Sequence, residues 1–203
     1  MRIGRRIAAF AVSAVLLAAC GSSGSASSSG GPAPTSAQIR PQLLTLSDMP
    51  AGWASAPNPK DNSSPTDQVC SGRLHSIRRT KGPEAQVTFT AATSSFVPAQ
   101  LEESVDYDPA ASTDFDRAKS ILDACHSAEE QGVTLSIGQL SFPALGDQSS
   151  AWLISGSESI VSISAPIVIV RKGNYVMLLA LASGSNETST LEGIAKTAVG
   201  KMA

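Results

Sequence analysis

The stretch IVIVRKGNYVMLLAL, Ile167 to Leu181, contains two apolar runs separated by four polar residues. The runs Ile167–Val170 and Tyr175–Ala182 are rich in β-branched, aromatic and aliphatic residues, which favour strands. The intervening Arg171-Lys172-Gly173-Asn174 has the composition of a tight turn. The stretch therefore predicts a β-hairpin, and a hairpin indicates an antiparallel sheet.

Strand patterns also precede the hairpin. The clearest is AQVTFTAA, where Val87, Phe89 and Ala91 alternate with polar or small residues. Predicted strands cover residues 85–92, 100–108, 133–137, 151–155 and 160–164. A turn-rich link is predicted over 142–147, and a short apolar helical patch around Leu43 and Leu44.

One amphipathic helix is predicted over residues 112–131. Phe115, Ala118, Leu122 and Cys125 fall on one apolar stripe, which places Cys125 towards the core. Thr113 with Asp116 would cap the start of this helix, and Gly132 would end it.

A second helix is predicted at the carboxyl end, with a capping box formed by Ser189 and Glu192. Its apolar positions can cover one face of a sheet; they are Leu191, Ile194, Ala195, Ala198 and Met202. The order of elements predicts an α+β fold: one domain with an antiparallel sheet and helices packed mainly on one face.

The amino-terminal residues have the pattern of an export signal. Met1 to Arg6 carries three arginines and no acid, and residues 7–19 are apolar apart from Ser13. As a helix this apolar stretch would span about 20 Å, whereas a membrane-spanning helix needs roughly 20 residues. The pattern favours a cleaved secretory signal over a permanent membrane helix.

The signal ends in Leu17-Ala18-Ala19-Cys20-Gly21. This sequence resembles the bacterial lipobox, whose cysteine is diacylated and becomes the mature amino terminus. More than one acyl chain gives stable membrane anchoring. We therefore expect Cys20 to be a lipidated tether; the alternative is an ordinary secreted protein in which this cysteine occurs by chance.

Residues 21–36 contain only Gly, Ser, Ala, Pro and Thr, so they are expected to form a disordered linker without a core. The expected organisation is a signal peptide over residues 1–19, the lipidated cysteine and linker over 20–36, and the folded domain over 37–203. Loss of the signal leaves 12 basic and 17 acidic side chains, a net charge near −5. This charge argues against nucleic-acid binding.

The other two cysteines, Cys70 and Cys125, form an even pair in an exported chain, which indicates a disulfide. The alternatives are a free buried thiol and a metal-binding or catalytic thiol. A catalytic thiol needs a nearby histidine. His126 adjoins Cys125 but lies about 100° away around a helix, off the apolar stripe. Two histidines without zinc-binding spacing predict no metal site, and no cofactor motif is present.

The sequence offers little for catalysis. No Gly-x-Ser-x-Gly sequence lies at a predicted strand-to-helix turn, which is where serine hydrolases place it. The carboxylates Glu102, Glu103, Asp106 and Asp108 are expected on a solvated strand face, without an EF-hand calcium pattern. The alternative is that Glu103 and Asp106 form a pair for acid–base or metal chemistry. We predict that the chain is not an enzyme.

Three residues are candidates for ligand binding. Arg73 and Arg78 lie in the basic stretch 73–81, whose default interpretation is a solvated loop. Its alternatives are contact with anionic lipid head groups and an anion site. Trp53 and Trp152 are expected in the core, with a ligand-stacking wall as the alternative; Trp152 is the third candidate.

Four segments together carry a family resemblance: LLTLSDMPAGW from Leu43, DFDRAKSILDAC from Asp114, PALGDQSSAW from Pro143, and the hairpin quoted above. They resemble actinobacterial, mycobacterial-type lipoproteins whose domain is similar to the extracellular sensor domain of receptor-type Ser/Thr kinases. The resemblance covers about residues 38–202.

The resemblance implies a non-catalytic, cleft-bearing domain that binds a small extracellular ligand. It also implies a bond between a helix cysteine and an upstream cysteine, which matches Cys125 and Cys70, and a structural turn in which Asp147 bonds backbone amides. The cysteines for the second disulfide usual in the kinase sensors are missing from this chain.

The sequence thus predicts an extracytoplasmic lipoprotein, on the outer face of the cell membrane, with a ligand-binding or sensor-like domain. Its expected partners are the membrane through the acyl chains, a small-molecule or lipid ligand, and an envelope protein. The alternatives are an envelope lipid carrier and an accessory to a cell-wall or lipid hydrolase.

Overall fold

A computed structural model describes residues 32–58, 82–93, 97–130, 133–158 and 161–203. The strands are β1 (Trp53–Ala56), β2 (Glu84–Ala91), β3 (Ala99–Tyr107), β4 (Ser127–Glu130), β5 (Val133–Leu140), β6 (Gln148–Glu158), β7 (Val161–Lys172) and β8 (Tyr175–Ala182). The helices are α1 (Ser36–Ile39), α2 (Ala111–Asp123) and α3 (Thr188–Lys201). Short 3-10 turns cover Arg40–Gln42 and Leu46–Asp48.

The eight strands form one sheet in the order β1-β2-β3-β8-β7-β6-β5-β4. Every pair of neighbours is antiparallel. The α+β class predicted from the sequence is therefore confirmed. The predicted hairpin is also confirmed: Lys172 pairs with Tyr175, and Gly173 has a φ of 59°, as a tight two-residue turn requires.

Helices cover both faces of the sheet because both faces of the central strands are apolar. Successive side chains of a strand point to opposite faces. In β7, Val168 and Val170 join one hydrophobic cluster, whereas Ile167 and Ile169 join another. The first cluster includes α3 and the residues around α1, and the second includes α2. The sheet therefore lies between α1 and α3 on one side and α2 on the other.

The strand β7 is longer than the sequence suggests. Residues 160–164 and 167–170 were expected as two strands, but β7 is continuous from Val161 to Lys172. Pro166 pairs with Leu153 of β6. Towards β8 the ladder stops at Ile167 and resumes only as an isolated bridge between Ser164 and Ser183. Proline has no N–H to donate, so it interrupts one ladder without ending the strand.

The helix α2 is shorter than predicted, and its start is different. It ends at Asp123 rather than near residue 131, and residues 127–130 form β4, which pairs with β5. Thr113 does not cap the helix, since the N-cap residue is Ala110. Asp108 organises this turn instead: its Oδ1 accepts a hydrogen bond from the Ala110 N–H at 2.7 Å, and its carbonyl accepts one from the Ala111 N–H.

The carboxyl-terminal helix α3 is confirmed, and its predicted apolar positions are all buried. The predicted Ser189–Glu192 capping box is wrong, because α3 begins at Thr188. Asn186 Oδ1 accepts from the Thr188 N–H at 3.0 Å and from its hydroxyl at 2.6 Å. This bonding satisfies a free N–H in the first turn of the helix.

Residues 35–49, which we call the amino-terminal strap, comprise α1 and the two 3-10 turns. The strap packs on the same sheet face as α3. Ile39, Leu43, Leu44 and Met49 are buried in the first cluster. The predicted helical patch around Leu43 and Leu44 is not a helix, because Leu43 has extended backbone angles. It is an irregular segment that the burial of its apolar side chains holds in place.

The link between β5 and β6 is tied to the β7–β8 hairpin by Asp147. Its N–H donates to the Arg171 carbonyl at 2.8 Å, and its Oδ2 accepts from the Gly173 N–H at 2.8 Å. The Arg171 guanidinium lies 3.2 Å from the same carboxylate. Asp147 therefore bonds a backbone amide, as expected from the sequence.

Candidate functional site

Several residues singled out in the sequence lie outside the described part of the chain. They are Cys20, Cys70, Arg73, Arg78 and His75. Cys125 is described: it follows α2, has 8% of its surface exposed and belongs to the second cluster, so it is turned towards the core as predicted. Because Cys70 is not described, the Cys70–Cys125 bond stays a prediction.

Trp152 is a core residue of β6. Only 1% of its surface is exposed, and its indole N–H donates to Asp123 Oδ1 at 3.1 Å. The ring therefore links β6 to the last residue of α2. This burial favours the core interpretation, because no exposed ring face is left on which a ligand could stack.

Glu103 and Asp106 do not form a pair. They are three residues apart on β3, and residues separated by an odd number point to opposite faces of a sheet. Glu103 lies on the face of Leu101 and Val105, which belong to the first cluster. The predicted solvated face is therefore wrong for Glu103, and it is also wrong for Asp108, which is buried. The acid–base pair of Glu103 and Asp106 would need side chains that the sheet separates.

Glu103 is completely buried between the sheet and the strap. Its Oε2 accepts a hydrogen bond from the Leu44 N–H at 2.7 Å, whereas its Oε1 has no hydrogen-bond partner among the described residues. Burial raises the pKa of Glu103 from 4.5 to about 7, because a charged carboxylate loses its hydration there. The Leu44 N–H and the charge of Lys201 oppose this shift, and the charge of Asp48 adds to it.

An ion pair lies beside this buried carboxyl group. Lys201, at the end of α3, donates to Asp48 Oδ2 in the strap. The Thr45 N–H and hydroxyl donate to the same oxygen, each at 2.7 Å. The hydrogen bonds from Lys201 and Thr45 lower the pKa of Asp48 to about 2. The strap is thus held by one charged contact at its surface and by one ionisable group beneath it.

A groove lined by hydroxyl groups lies on the part of the sheet towards β5. Its volume is about 580 Å³. The cross-strand registers place four serines in one row: Ser136 opposite Ser155, Ser155 opposite Ser164, and Ser164 opposite Ser183. We call this cavity the serine groove; the loop Gly184–Asn186 also lines it.

Of the four serines in this row, three have bonded hydroxyl groups and one does not; Ser183 lies at the end of the row and is not one of the lining residues. The Oγ atoms of Ser136 and Ser155 are 2.9 Å apart, and the Ser183 hydroxyl donates to the Ser185 carbonyl at 2.6 Å. The buried Ser164 Oγ has no partner among the described residues. These groups are neutral donors and acceptors, so they can bind a polar, uncharged ligand.

Two further cavities are described. One, of 390 Å³, lies at the start of β6 around Phe142 and Ser149, and the other, of 450 Å³, lies along α2 around Asp116 and Lys119. Within the described ranges no three His, Cys, Asp or Glu side chains are grouped so that they could hold a metal ion. No helix among those residues is long and apolar enough to cross a membrane.

Sequence reasoning missed the burial of Glu103 and the serine row. A signal for Glu103 was present, because Leu101, Glu103 and Val105 alternate with polar residues and so share one face. The serine row had no such local signal, since its members come from four segments that meet only through the strand registers.

Comparison with known proteins shows the fold. No protein-family model and no curated protein matches the chain. Among solved structures, the extracellular domain of PknH from Mycobacterium tuberculosis is similar, with a TM-score of 0.56 and 10% sequence identity over 85% of this chain and 100% of that domain. A putative uncharacterized protein from Mycobacterium smegmatis aligns with a TM-score of 0.45 and 10% identity, over 82% of this chain and 94% of that one. The chain therefore has the fold of the PknH extracellular domain.

Proposed function

We propose that the chain is a non-catalytic, sensor-like domain that acts outside the cytoplasm and is anchored to the outer face of the cell membrane. The observation that carries this proposal is the fold shared with an extracellular domain over the whole length of that domain. The export signal and the lipobox-like sequence at Cys20 support the same location. In this proposal acyl chains on Cys20 hold the domain, and residues 21–34 are the spacer, since Thr35 and Ser36 belong to the start of the strap.

The ligand surface in this proposal is the serine groove. It is the largest of the three described cavities, and the hydroxyl groups of its lining residues on β5, β6, β7 and the loop after β8 can donate and accept hydrogen bonds. A neutral, hydroxyl-rich ligand fits this chemistry better than a phosphate or a fatty acid, because the described residues that line the groove include no cation and form no extended apolar wall. The alternative roles of lipid carrier and hydrolase accessory have no comparable support in the described cavities.

Mass spectrometry of the protein extracted from membranes of an actinobacterial host tests the anchor. The denatured mass should show loss of residues 1–19 and addition of acyl chains, both of which Cys20→Ala should abolish. A Cys70–Cys125 bond should lower the mass by about 2 Da, one hydrogen from each thiol, and Cys125→Ser should remove this difference. An unmodified Cys20 in a processed protein would contradict the anchor.

The native mass of the same sample tests ligand binding. We expect a discrete non-covalent adduct that is weakened by Ser155→Ala and Ser164→Ala, because both remove hydroxyls from the serine groove. Ser120→Ala is the matched control, since Ser120 lines the cavity along α2 on the opposite side of the sheet. An adduct that responds to the Ser120 variant and not to the other two would move the ligand site away from the serine groove.

A further inference from the structure

The strap is attached to the sheet through an ionisable group. Its apolar side chains Ile39, Leu43 and Leu44 are each at most 2% exposed, so burial holds most of its length. Between them and the sheet lies Glu103, whose carboxylate accepts the Leu44 N–H. This contact joins residues that are 59 positions apart in the sequence.

The surroundings of Glu103 supply little to stabilise a negative charge. Its cross-strand neighbours are Val87 on β2 and Leu179 on β8, both apolar. Of the described charged groups, Lys201 on α3 and Asp48 in the strap act on Glu103, and they have opposite signs and bond each other. An ionised Glu103 would therefore be a buried carboxylate with one hydrogen bond and no direct ion pair, a state that proteins avoid.

We propose that the strap is a proton-sensitive latch: it stays seated while Glu103 is neutral, and ionisation of Glu103 favours an opened strap in which the carboxylate reaches water. This inference concerns the folded domain alone and does not depend on the proposed anchor or ligand. Its consequence is that residues 35–49 would loosen as the pH rises.

The direction and size of the effect follow from linkage. With the strap seated, the pKa of Glu103 is about 7, and in a hydrated, opened state it returns towards 4.5. The seated state thus binds more protons between these two values, so rising pH opens the strap. A difference of about 2.5 pKa units corresponds to a shift of roughly 300-fold in the opening equilibrium, and between pH 5 and pH 8 the shift is on the order of 10²-fold.

Hydrogen exchange of single amides in the purified protein tests the latch. After correction for the intrinsic pH dependence of exchange, the protection of the Leu44 amide should fall on the order of 10²-fold from pH 5 to pH 8. The amides of β7, such as that of Val168, should exchange more slowly than the Leu44 amide at both pH values, because the strap opens while the sheet stays folded. Glu103→Gln should keep the Leu44 amide protected at both pH values, because the side chain stays neutral.

Glu102→Gln is the matched control. This variant makes the same chemical change at the neighbouring position of β3, but the Glu102 side chain faces the other side of the sheet and accepts a hydrogen bond from Gln100. It should behave like the unchanged protein. Because the comparison of Leu44 with β7 can be made in the unchanged protein, the test does not depend on how well either variant folds.

Three results would overturn the latch. A Leu44 amide whose protection does not change with pH would show that Glu103 does not loosen the strap. Equal protection of the Leu44 and β7 amides at both pH values would show that the strap opens only when the whole domain unfolds. A pH response retained in Glu103→Gln would assign the effect to another group.

Discussion

Replacing Gly146 with alanine should destabilise the domain much more than replacing Gly173, although both glycines have left-handed backbone angles. Their φ values are 57° and 59°, so each substitution carries the same conformational penalty of roughly 1 kcal/mol. The two sites differ in the space available. A Cβ at Gly146 would lie 2.5 Å from the Arg171 carbonyl oxygen and 2.8 Å from Val170 Cγ1, whereas a Cβ at Gly173 would meet nothing within 4 Å.

The contact at Gly146 involves backbone that is already bonded. Arg171 O accepts the Asp147 N–H, so the new methyl group would push the β5–β6 link away from the hairpin and strain the Asp147 contacts. Overpacking of this kind typically costs about 1–3 kcal/mol. We therefore expect a loss of about 1 kcal/mol for Gly173→Ala and about 3 kcal/mol for Gly146→Ala.

Urea-induced unfolding of the two purified variants, followed by tryptophan fluorescence, measures this difference. Trp152 is buried and reports on the opposite cluster, so its signal follows the whole domain rather than the turn itself. Equal midpoints for the two variants would refute the close approach of the link to the hairpin. A larger loss for Gly173→Ala would refute the assignment of the two turns.

Three other changes test contacts of the strap and of α2. Protonation of Glu103 contributes fully to the free energy of unfolding below pH 4.5, and this contribution is lost as the pH rises through about 7. The free energy of unfolding of Glu103→Gln, measured by urea titration, should therefore rise by about 3 kcal/mol relative to that of the unchanged protein between pH 4.5 and 8. A difference that stays constant with pH would contradict this. The contribution of ionised Asp48 to the free energy of unfolding has the opposite pH dependence: it is present above pH 3.8 and is lost as the pH falls through about 2. Lys201→Met should lower stability at pH 7 by about 1 kcal/mol because the ion pair is partly exposed, and no change in the urea midpoint would show that the pair contributes nothing. Trp152→Phe should lower the free energy of unfolding by about 2 kcal/mol, seen in the thermal and urea midpoints, because it removes side-chain volume and a hydrogen bond. Asp123→Asn keeps an oxygen acceptor and should have a smaller effect. Equal losses in the two variants would argue against the hydrogen bond from the indole N–H to Asp123.

The strands and the last helix could be predicted because their signals are local. Alternation in residues 85–92 and the polar turn between two apolar runs each lie within a few residues, and the structure has β2 and the β7–β8 hairpin at those places. The apolar spacing of α3 likewise needs only the sequence around it. The first residues of α2 and α3 were less well predicted. The side chains of Asp108 and Asn186, which precede α2 and α3 respectively, accept hydrogen bonds from backbone N–H groups there.

Features that depend on pairing between distant segments could not be read in this way. The helix pattern after residue 111 continues past Asp123, yet residues 127–130 gain more by pairing with β5 as a strand. The helices pack on both faces of the sheet because alternate apolar residues of β7 belong to different hydrophobic clusters, one on each face. For the candidate site, the serine row arises from the same registers, and the burial of Glu103 requires the strap to fold back across β3.

The two ends of the described domain meet at the strap, and this arrangement has a mechanical consequence. Ala203 N–H donates to Gln42 Oε1 at 3.1 Å, Lys172 Nζ donates to the Met202 carbonyl at 2.6 Å, and Lys201 bonds Asp48. A pulling force applied at the amino end of the described domain would reach the strap first, and the strap would pass it to the last turn of α3 through Asp48 and Gln42 and to β3 through the Leu44–Glu103 contact. Tension on the amino end would therefore be felt at the carboxyl end, and a bulky fusion joined after Ala203 would sit at the point that bears this load.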